Sequence, residues 1–195
     1  MPKDENVQHI TKMAELQEFF SSHRSWYYRG QKDPSWKLET TLERATKRLG
    51  VEQAEYERTV FREYRRHAHS FLTRTPAEDD VLEWLALMQH YGAPTRLLDF
   101  TKSFWIALYF AIEDADKDCV VWAINPETLG QKRGDFNKKL KDNIANGKGK
   151  EASLYHDVPF YSNDRLTLQK GTFIFSMDLS TTFQDQVVGE HRVAN

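Results

Sequence analysis

Apolar residues recur at helical spacing in four stretches of the chain, which predicts four helices. These stretches cover residues 11–20, about 51–72, 81–90 and 103–114. The second has one apolar face and one charged face, as expected of a helix at the surface. The fourth, which contains Phe104 and Phe110, is apolar on nearly every side, and we therefore expect it to be buried.

Short runs of aromatic and β-branched residues between these helices predict strands. The runs lie at residues 26–31, 36–40, 119–125, 158–161, 165–169 and 171–176. The alternating strand–helix units of a doubly wound parallel sheet are not evident. The order of elements therefore predicts an α+β fold, with helices packed on a small mixed or antiparallel sheet.

The length of 195 residues predicts a single domain, residues 1–195. Residues 129–150 differ from the rest because Lys, Asn and Gly dominate there and apolar residues are few. We expect an inserted, mobile or weakly structured segment over this range.

Composition removes several classes of function. Apolar residues make up 39% of the chain, charged residues 29%, and the net charge is −2. This balance argues against strong electrostatic attraction to nucleic acid or anionic membrane. The sequence shows neither the roughly 20-residue apolar run of a membrane span nor a signal peptide. The single Cys119 cannot form an internal disulfide, and we expect a buried thiol in a cytoplasmic protein without a membrane partner.

Several established motifs are also absent from the sequence. It contains no Gly-rich dinucleotide fingerprint, no phosphate-binding loop with Gly-Lys-Ser/Thr, and no nucleophile elbow. His67 and His69 stand two residues apart and so do not share a helix face. No Cys/His cluster has zinc-binding spacing, and we therefore predict no metal site.

The richest concentration of polar side chains lies in the segment Gln89–Thr101, hereafter the central motif. It places a His, two Thr, an Arg and an Asp around a Gly-Ala-Pro turn, directly before the apolar fourth helix. Two arginines with hydroxyl and amide side chains suit a phosphate-bearing ligand, because guanidinium pairs with phosphate in a bidentate manner. The candidate residues for such a site are Arg29, beside Gly30, and Thr95, Arg96, Asp99 and Gln169.

Structural roles remain open for three residues of the central motif. Arg96 and Asp99 are candidates for an ion pair that ties the loop to the following helix. Asp99 is also a candidate cap for that helix. His90 is either a general base or a hydrogen-bonded residue with a structural role.

The residues quoted above resemble those of the FRG domain, a family named for a Phe-Arg-Gly motif. The resemblance rests on Tyr28-Arg29-Gly30-Gln31, with Tyr28 in place of the Phe, on the central motif with its following helix, and on Gln169-Lys170-Gly171-Thr172-Phe173. It extends over about residues 24–176, the predicted core of the domain.

The layout of the FRG domain resembles that of ADP-ribosyltransferase-like folds, and this resemblance implies NAD as the bound nucleotide. It implies catalytic roles for Arg29, His90 and Gln169, with Arg29 on the NAD phosphates and His90 near the nicotinamide. The remaining NAD-binding residues that it implies are Gly30, Gln31, Thr95, Arg96 and Asp99.

The resemblance implies an NAD-dependent ADP-ribosyltransferase or NAD glycohydrolase that acts as a toxin or anti-phage effector. The acceptor, protein or nucleic acid, stays open. Many transferases of that fold carry Glu where Gln169 stands, and Asp99 is a candidate substitute. The alternative is a non-catalytic module that binds a nucleotide or a protein. Nucleic-acid processing is least favoured, because the charge is balanced.

Overall fold

The computed structural model describes residues 7–130, 136–147, 154–159 and 164–191. Within these ranges it contains helices on an antiparallel sheet, so the predicted α+β class is confirmed. The helices are α1 (Met13–Ser22), α2 (Thr41–Leu49), α3 (Gln53–Ala68), α4 (Val81–His90), α5 (Phe104–Ile112), α6 (Phe136–Asn146), α7 (Asp164–Leu168) and α8 (Phe183–His191). The strands are β1 (Tyr27–Gln31), β2 (Leu98–Thr101), β3 (Val120–Ile124), β4 (Leu154–Asp157) and β5 (Gly171–Ser176).

The five strands form one sheet in the order β3-β1-β2-β5-β4, and every pairing between them is antiparallel. Arg29 of β1 lies opposite Trp122 of β3. Strands β1 and β2 pair only at Tyr28 and Thr101. Because this pairing is so short, the main-chain carbonyl groups of β2 before Thr101 can accept hydrogen bonds from donors outside β1.

Alternation along the strands gives the sheet two different faces. On β5, Phe173 and Phe175 pack into a cluster with residues of α3, α4 and α6, whereas Ile174 packs into a second cluster on the other face. Phe183 and Val187 of α8 cover that second face. The sheet is therefore buried between two unequal layers.

Helix α5 lies close against β1 because Gly30 has no side chain. A Cβ atom at Gly30 would lie 1.9 Å from the Ala107 carbonyl oxygen and 2.7 Å from the Ala111 nitrogen. The ring of Tyr28, on the same side of β1, meets the ring of Phe104 edge to face at 5.3 Å. The contact explains why a glycine stands in the middle of a strand.

The expectation that α5 is buried on all sides is wrong. Phe104, Ala107 and Ala111 are buried, but Trp105 is 46% exposed and Tyr109 is 53% exposed. The helix covers one face of the sheet, so only one of its own faces is in contact. Within the described ranges, no helix is long and apolar enough to cross a membrane.

Several predicted elements differ from those observed. Helices α2 and α8 and strands β2 and β4 are not among the predictions, and the extended run at 36–40 forms no strand. Residues 164–168 form α7, so the partners of β5 are β2 and β4. Part of the predicted run at 158–161 lies outside the described residues. Cys119 is only half-buried, contrary to the expected buried thiol.

Helix α6 lies within the segment 129–150, for which weak structure was expected. Its residues Phe136, Leu140 and Ile144 are buried in the cluster shared with α3 and α4. The expectation therefore does not hold for Phe136–Asn146, since apolar residues spaced three and four apart give this helix a buried face. Residues 131–135 and 148–150 lie outside the described residues.

Candidate functional site

Arg29 occupies the middle of β1 on the face opposite to that covered by α5, and it is half-buried. Its Nη1 donates to the carbonyl oxygen of Asp99 at 2.7 Å. Its Nε is buried and has no hydrogen-bond partner among the described residues. Burial lowers the pKa of Arg29 below its ordinary value, and the Asp99 charge acts in the opposite direction. A partly desolvated cation with an unused donor is suited to binding an anion.

A hydrogen-bonded chain connects Arg29 to the central motif. Gln89 Nε2 donates to Asp99 Oδ2 at 2.9 Å, and Thr95 Oγ1 donates to Gln89 Oε1. Asp99 therefore uses its carbonyl for Arg29 and its carboxylate for Gln89. The chain brings together three of the predicted site residues, Arg29, Thr95 and Asp99.

The turn between α4 and β2 gives the central motif its shape. Gly92 has a φ of 82°, the left-handed region that favours glycine, and its N–H donates to the Gln89 carbonyl at 3.0 Å. The N–H of Leu97 then donates to Thr95 Oγ1 at 3.3 Å, a local turn before the strand. Asp99 lies within β2, so it does not cap α5 as one alternative proposed.

Helix α2 is attached to the same motif through its first turn. The Leu42 N–H donates to the Thr95 carbonyl at 3.1 Å, and the Thr41 hydroxyl contacts both the carbonyl and the N–H of Thr95. Thr95 is fully buried by these contacts. The primary role of Thr95 is structural, because its main chain and its hydroxyl are both already hydrogen-bonded.

Arg96 points away from Arg29 and into the core between α3, α6 and β5. It is 1% exposed, and Glu57, its partner, is 0% exposed. Arg96 Nε donates to the Glu57 carboxylate at 2.8 Å and Nη2 donates to it as well. Nη1 donates to Asn143 Oδ1 at 2.7 Å and to the Ser176 carbonyl at 3.0 Å. The suggested ion pair with Asp99 is therefore wrong, since Arg96 pairs with Glu57.

Gly30 and Gln31 also have structural partners. Gly30 packs against α5, as described above. Gln31 is buried, accepts from Trp122 Nε1 at 2.7 Å and donates to the Lys37 carbonyl at 3.3 Å. These bonds attach β3 and the loop after β1 to the strand that carries Arg29.

His90 and Gln169 lie outside the hydrogen-bonded chain that links Arg29, Asp99, Gln89 and Thr95. His90 is exposed at the end of α4, with its ring 5.2 Å from that of Tyr91. Gln169 is half-buried in the turn before β5, and its carbonyl accepts from Thr101 Oγ1 at 2.6 Å. The contacts of Gln169 fix its main chain beside β2 and leave its predicted catalytic role a prediction.

A second arginine influences the site electrostatically. The positive charge of Arg44, an exposed residue of α2, lowers the pKa of Arg29 in addition to burial. Arg44 Nη1 donates to the Glu39 carbonyl at 2.7 Å. Among the described residues, no group of three or more His, Cys, Asp or Glu side chains is arranged to hold a metal ion. The arrangement is suited to recognising negative charge.

The sequence does not reveal the roles of four residues that contribute to the site or to its support. Asn143 and Glu57 lie 47 and 39 positions from Arg96, and no local signal connects them with it. Gln89 belongs to the central motif but was not singled out. Arg44 follows Thr40 and Glu43, whose capping box is a local signal for the start of α2 but not for proximity to Arg29.

The fold and the site define an α+β protein with an arginine-centred candidate anion site. The family model of the FRG domain matches residues 24–119, which include Arg29, the central motif and α5. The chain belongs to the FRG domain family. No curated protein and no solved structure matches the chain significantly. The resemblance from residue 120 to residue 176 lies beyond the matched segment.

Proposed function

We propose that this FRG domain binds a nucleotide through its phosphate groups, with NAD as the candidate ligand. The observation that carries the proposal is the state of Arg29. Its guanidinium is half-buried, and its Nη1 donates to the neutral carbonyl of Asp99. Within the part of the chain that the structure describes, its buried Nε has no hydrogen-bond partner. A phosphate oxygen supplies both the missing acceptor and the missing negative charge.

The same proposal includes a reaction on NAD. The bond between the nicotinamide nitrogen and the ribose carbon breaks and nicotinamide leaves with the bonding electron pair. Water or an acceptor group on protein or nucleic acid then bonds to that carbon and releases its proton to solvent. The transition state resembles an oxocarbenium ion and gains from nearby negative charge. Such an activity suits a toxin or anti-phage effector in the cytoplasm.

A non-catalytic nucleotide-binding module is the second candidate, and the position of Asp99 favours it. The register of the strands places the Asp99 side chain on the same face of the sheet as Phe173, whereas the Arg29 side chain lies on the opposite face. The Asp99 carboxylate is also held by Gln89. Gln169 is neutral, so it stabilises an oxocarbenium ion less than the Glu of many transferases does.

Calorimetric titration with NAD and chromatographic detection of released nicotinamide test both candidates. We expect NAD to bind wild type and Arg29→Ala to lower the affinity at least about tenfold, because it removes a charge-assisted hydrogen bond. Arg62→Ala, which removes an exposed arginine of α3, serves as the matched control and keeps wild-type affinity.

The outcomes separate the two candidates. Nicotinamide release that Arg29→Ala abolishes supports the enzyme, whereas binding without release supports the non-catalytic module. Equal NAD affinity in wild type and a folded Arg29→Ala, judged by thermal denaturation, contradicts the assignment of this site. No NAD binding by wild type contradicts the choice of ligand.

A further inference from the structure

We infer that Arg29 and Arg44 together form a two-arginine clamp for a diphosphate group. The inference rests on the proposed function for the nucleotide to which that diphosphate belongs. It replaces Arg96 by Arg44 as the second guanidinium of the site, because Arg96 is buried with Glu57 in the core.

Both arginines are anchored to the two ends of one short segment. The guanidinium of Arg29 bonds the carbonyl of Asp99 at the segment's end. The helix that carries Arg44 bonds the carbonyl of Thr95 at its beginning through Leu42. Five consecutive residues of the central motif thus fix the relative positions of β1 and α2, on which the two guanidinium groups stand.

Neither arginine is neutralised by a hydrogen-bonded carboxylate within the described residues. Arg29 and Arg44 each donate to a main-chain carbonyl, those of Asp99 and Glu39. The carboxylate of Glu39 lies 3.5 Å from Lys47 Nζ. The positive charge of Arg44 lowers the pKa of the partly desolvated Arg29, and an anion between the two guanidinium groups relieves this repulsion.

The anion is held by side chains and not by the amides of the α2 N-terminus. Thr40 Oγ1 accepts from the Glu43 N–H, and the Glu43 carboxylate accepts from the Thr40 N–H. The N–H of Leu42 is taken by Thr95. The N–H groups of Thr40, Leu42 and Glu43 at the start of α2 are therefore already hydrogen-bonded, and the Arg44 side chain is the contribution of this helix to anion binding.

Two guanidinium groups discriminate between one phosphate and two. A single phosphate is satisfied by the bidentate fork of Arg29 alone, whereas a diphosphate offers a second anionic group to Arg44. We therefore expect pyrophosphate and ADP to bind more tightly than phosphate and AMP.

Isothermal titration of wild type, Arg44→Ala, Arg44→Lys and Arg62→Ala with phosphate, pyrophosphate, AMP, ADP and NAD tests the clamp at one fixed ionic strength. Wild type should bind pyrophosphate at least about tenfold more tightly than phosphate. Arg44→Ala should remove most of this preference, Arg44→Lys should recover part of it, and the control Arg62→Ala should retain it. Thermal denaturation confirms that each variant is folded.

A wild type that binds phosphate and pyrophosphate equally, or neither, overturns the clamp, and so does a folded Arg44→Ala with the full preference. If pyrophosphate binds as expected and NAD, ADP and AMP do not bind, the proposed function fails and the clamp stands. If NAD binds and Arg44→Ala leaves the affinities for NAD and pyrophosphate unchanged, the clamp fails and the proposed function stands.

Discussion

The buried pair of Arg96 and Glu57 is expected to hold the FRG domain together, and Arg96→Ala tests this directly. The substitution leaves the Glu57 carboxylate, 0% exposed, without its cation. It also leaves Asn143 Oδ1 and the Ser176 carbonyl without the donor they share. Breaking a buried ion pair by removing one partner costs about 3–5 kcal/mol. For a chain of this length, about 4 kcal/mol corresponds to a fall in Tm of roughly 8–16 °C.

Urea denaturation followed by circular dichroism measures this loss. The matched control is Arg62→Ala on α3, where an exposed arginine lies 3.2 Å from the Glu63 carboxylate. Surface pairs of this kind are worth about 0–1 kcal/mol. The double variant Arg96→Met/Glu57→Leu should recover part of the stability, because it removes the isolated buried charge.

The reasoning is refuted by one clear combination. If Arg96→Ala lowers the free energy of unfolding by less than about 1 kcal/mol and abolishes nucleotide binding, Arg96 acts on the ligand and not on the core. A large loss of stability with normal NAD affinity in the remaining folded protein supports the structural role.

Three further expectations concern single positions. Gly30→Ala should destabilise the fold by about 1–3 kcal/mol or more in urea titration, since the new Cβ meets the main chain of Ala107; an unchanged midpoint would show that α5 moves away freely. Thr40→Ala should cost about 1 kcal/mol by removing the capping box with Glu43, and a loss under about 0.3 kcal/mol would contradict that cap. Burial raises the pKa of Tyr64 to about 12, so its neutral form is favoured in the folded state. Its stabilising contribution should be complete below pH about 10 and should fall as the pH rises through about 12. Ultraviolet titration of wild type and of Tyr64→Phe identifies the ionisation of Tyr64, and ionisation with an ordinary tyrosine pKa would refute this expectation.

Local sequence signals were sufficient for helices α1, α3, α4 and α5 and for the strand that carries Arg29. The periodicity of residues 81–90 predicted α4, and the apolar run at 119–125 predicted β3, because these patterns depend only on near neighbours along the chain. Gly30 permits a close approach of main chain, and the structure shows that α5 makes that approach. The signals failed at α6, where a polar composition concealed a buried face.

The candidate site was only partly accessible to the same reasoning. The choice of Arg29, Thr95 and Asp99 as neighbours agrees with the hydrogen-bonded chain that the structure contains. Arg96, adjacent to Thr95, points in another direction because its partners Glu57 and Asn143 come from distant helices.

The sequence by itself determined the class of the fold and the family, and it indicated Arg29 as a candidate cation for an anion site. Hydrophobic periodicity and a specific motif carry this information within short windows. Only the tertiary structure decided which arginine is buried and which remains available to an anion. That division depends on contacts between segments far apart in the chain. The Glu57 carboxylate neutralises Arg96, whereas among the described residues Arg29 and Arg44 donate to main-chain carbonyls.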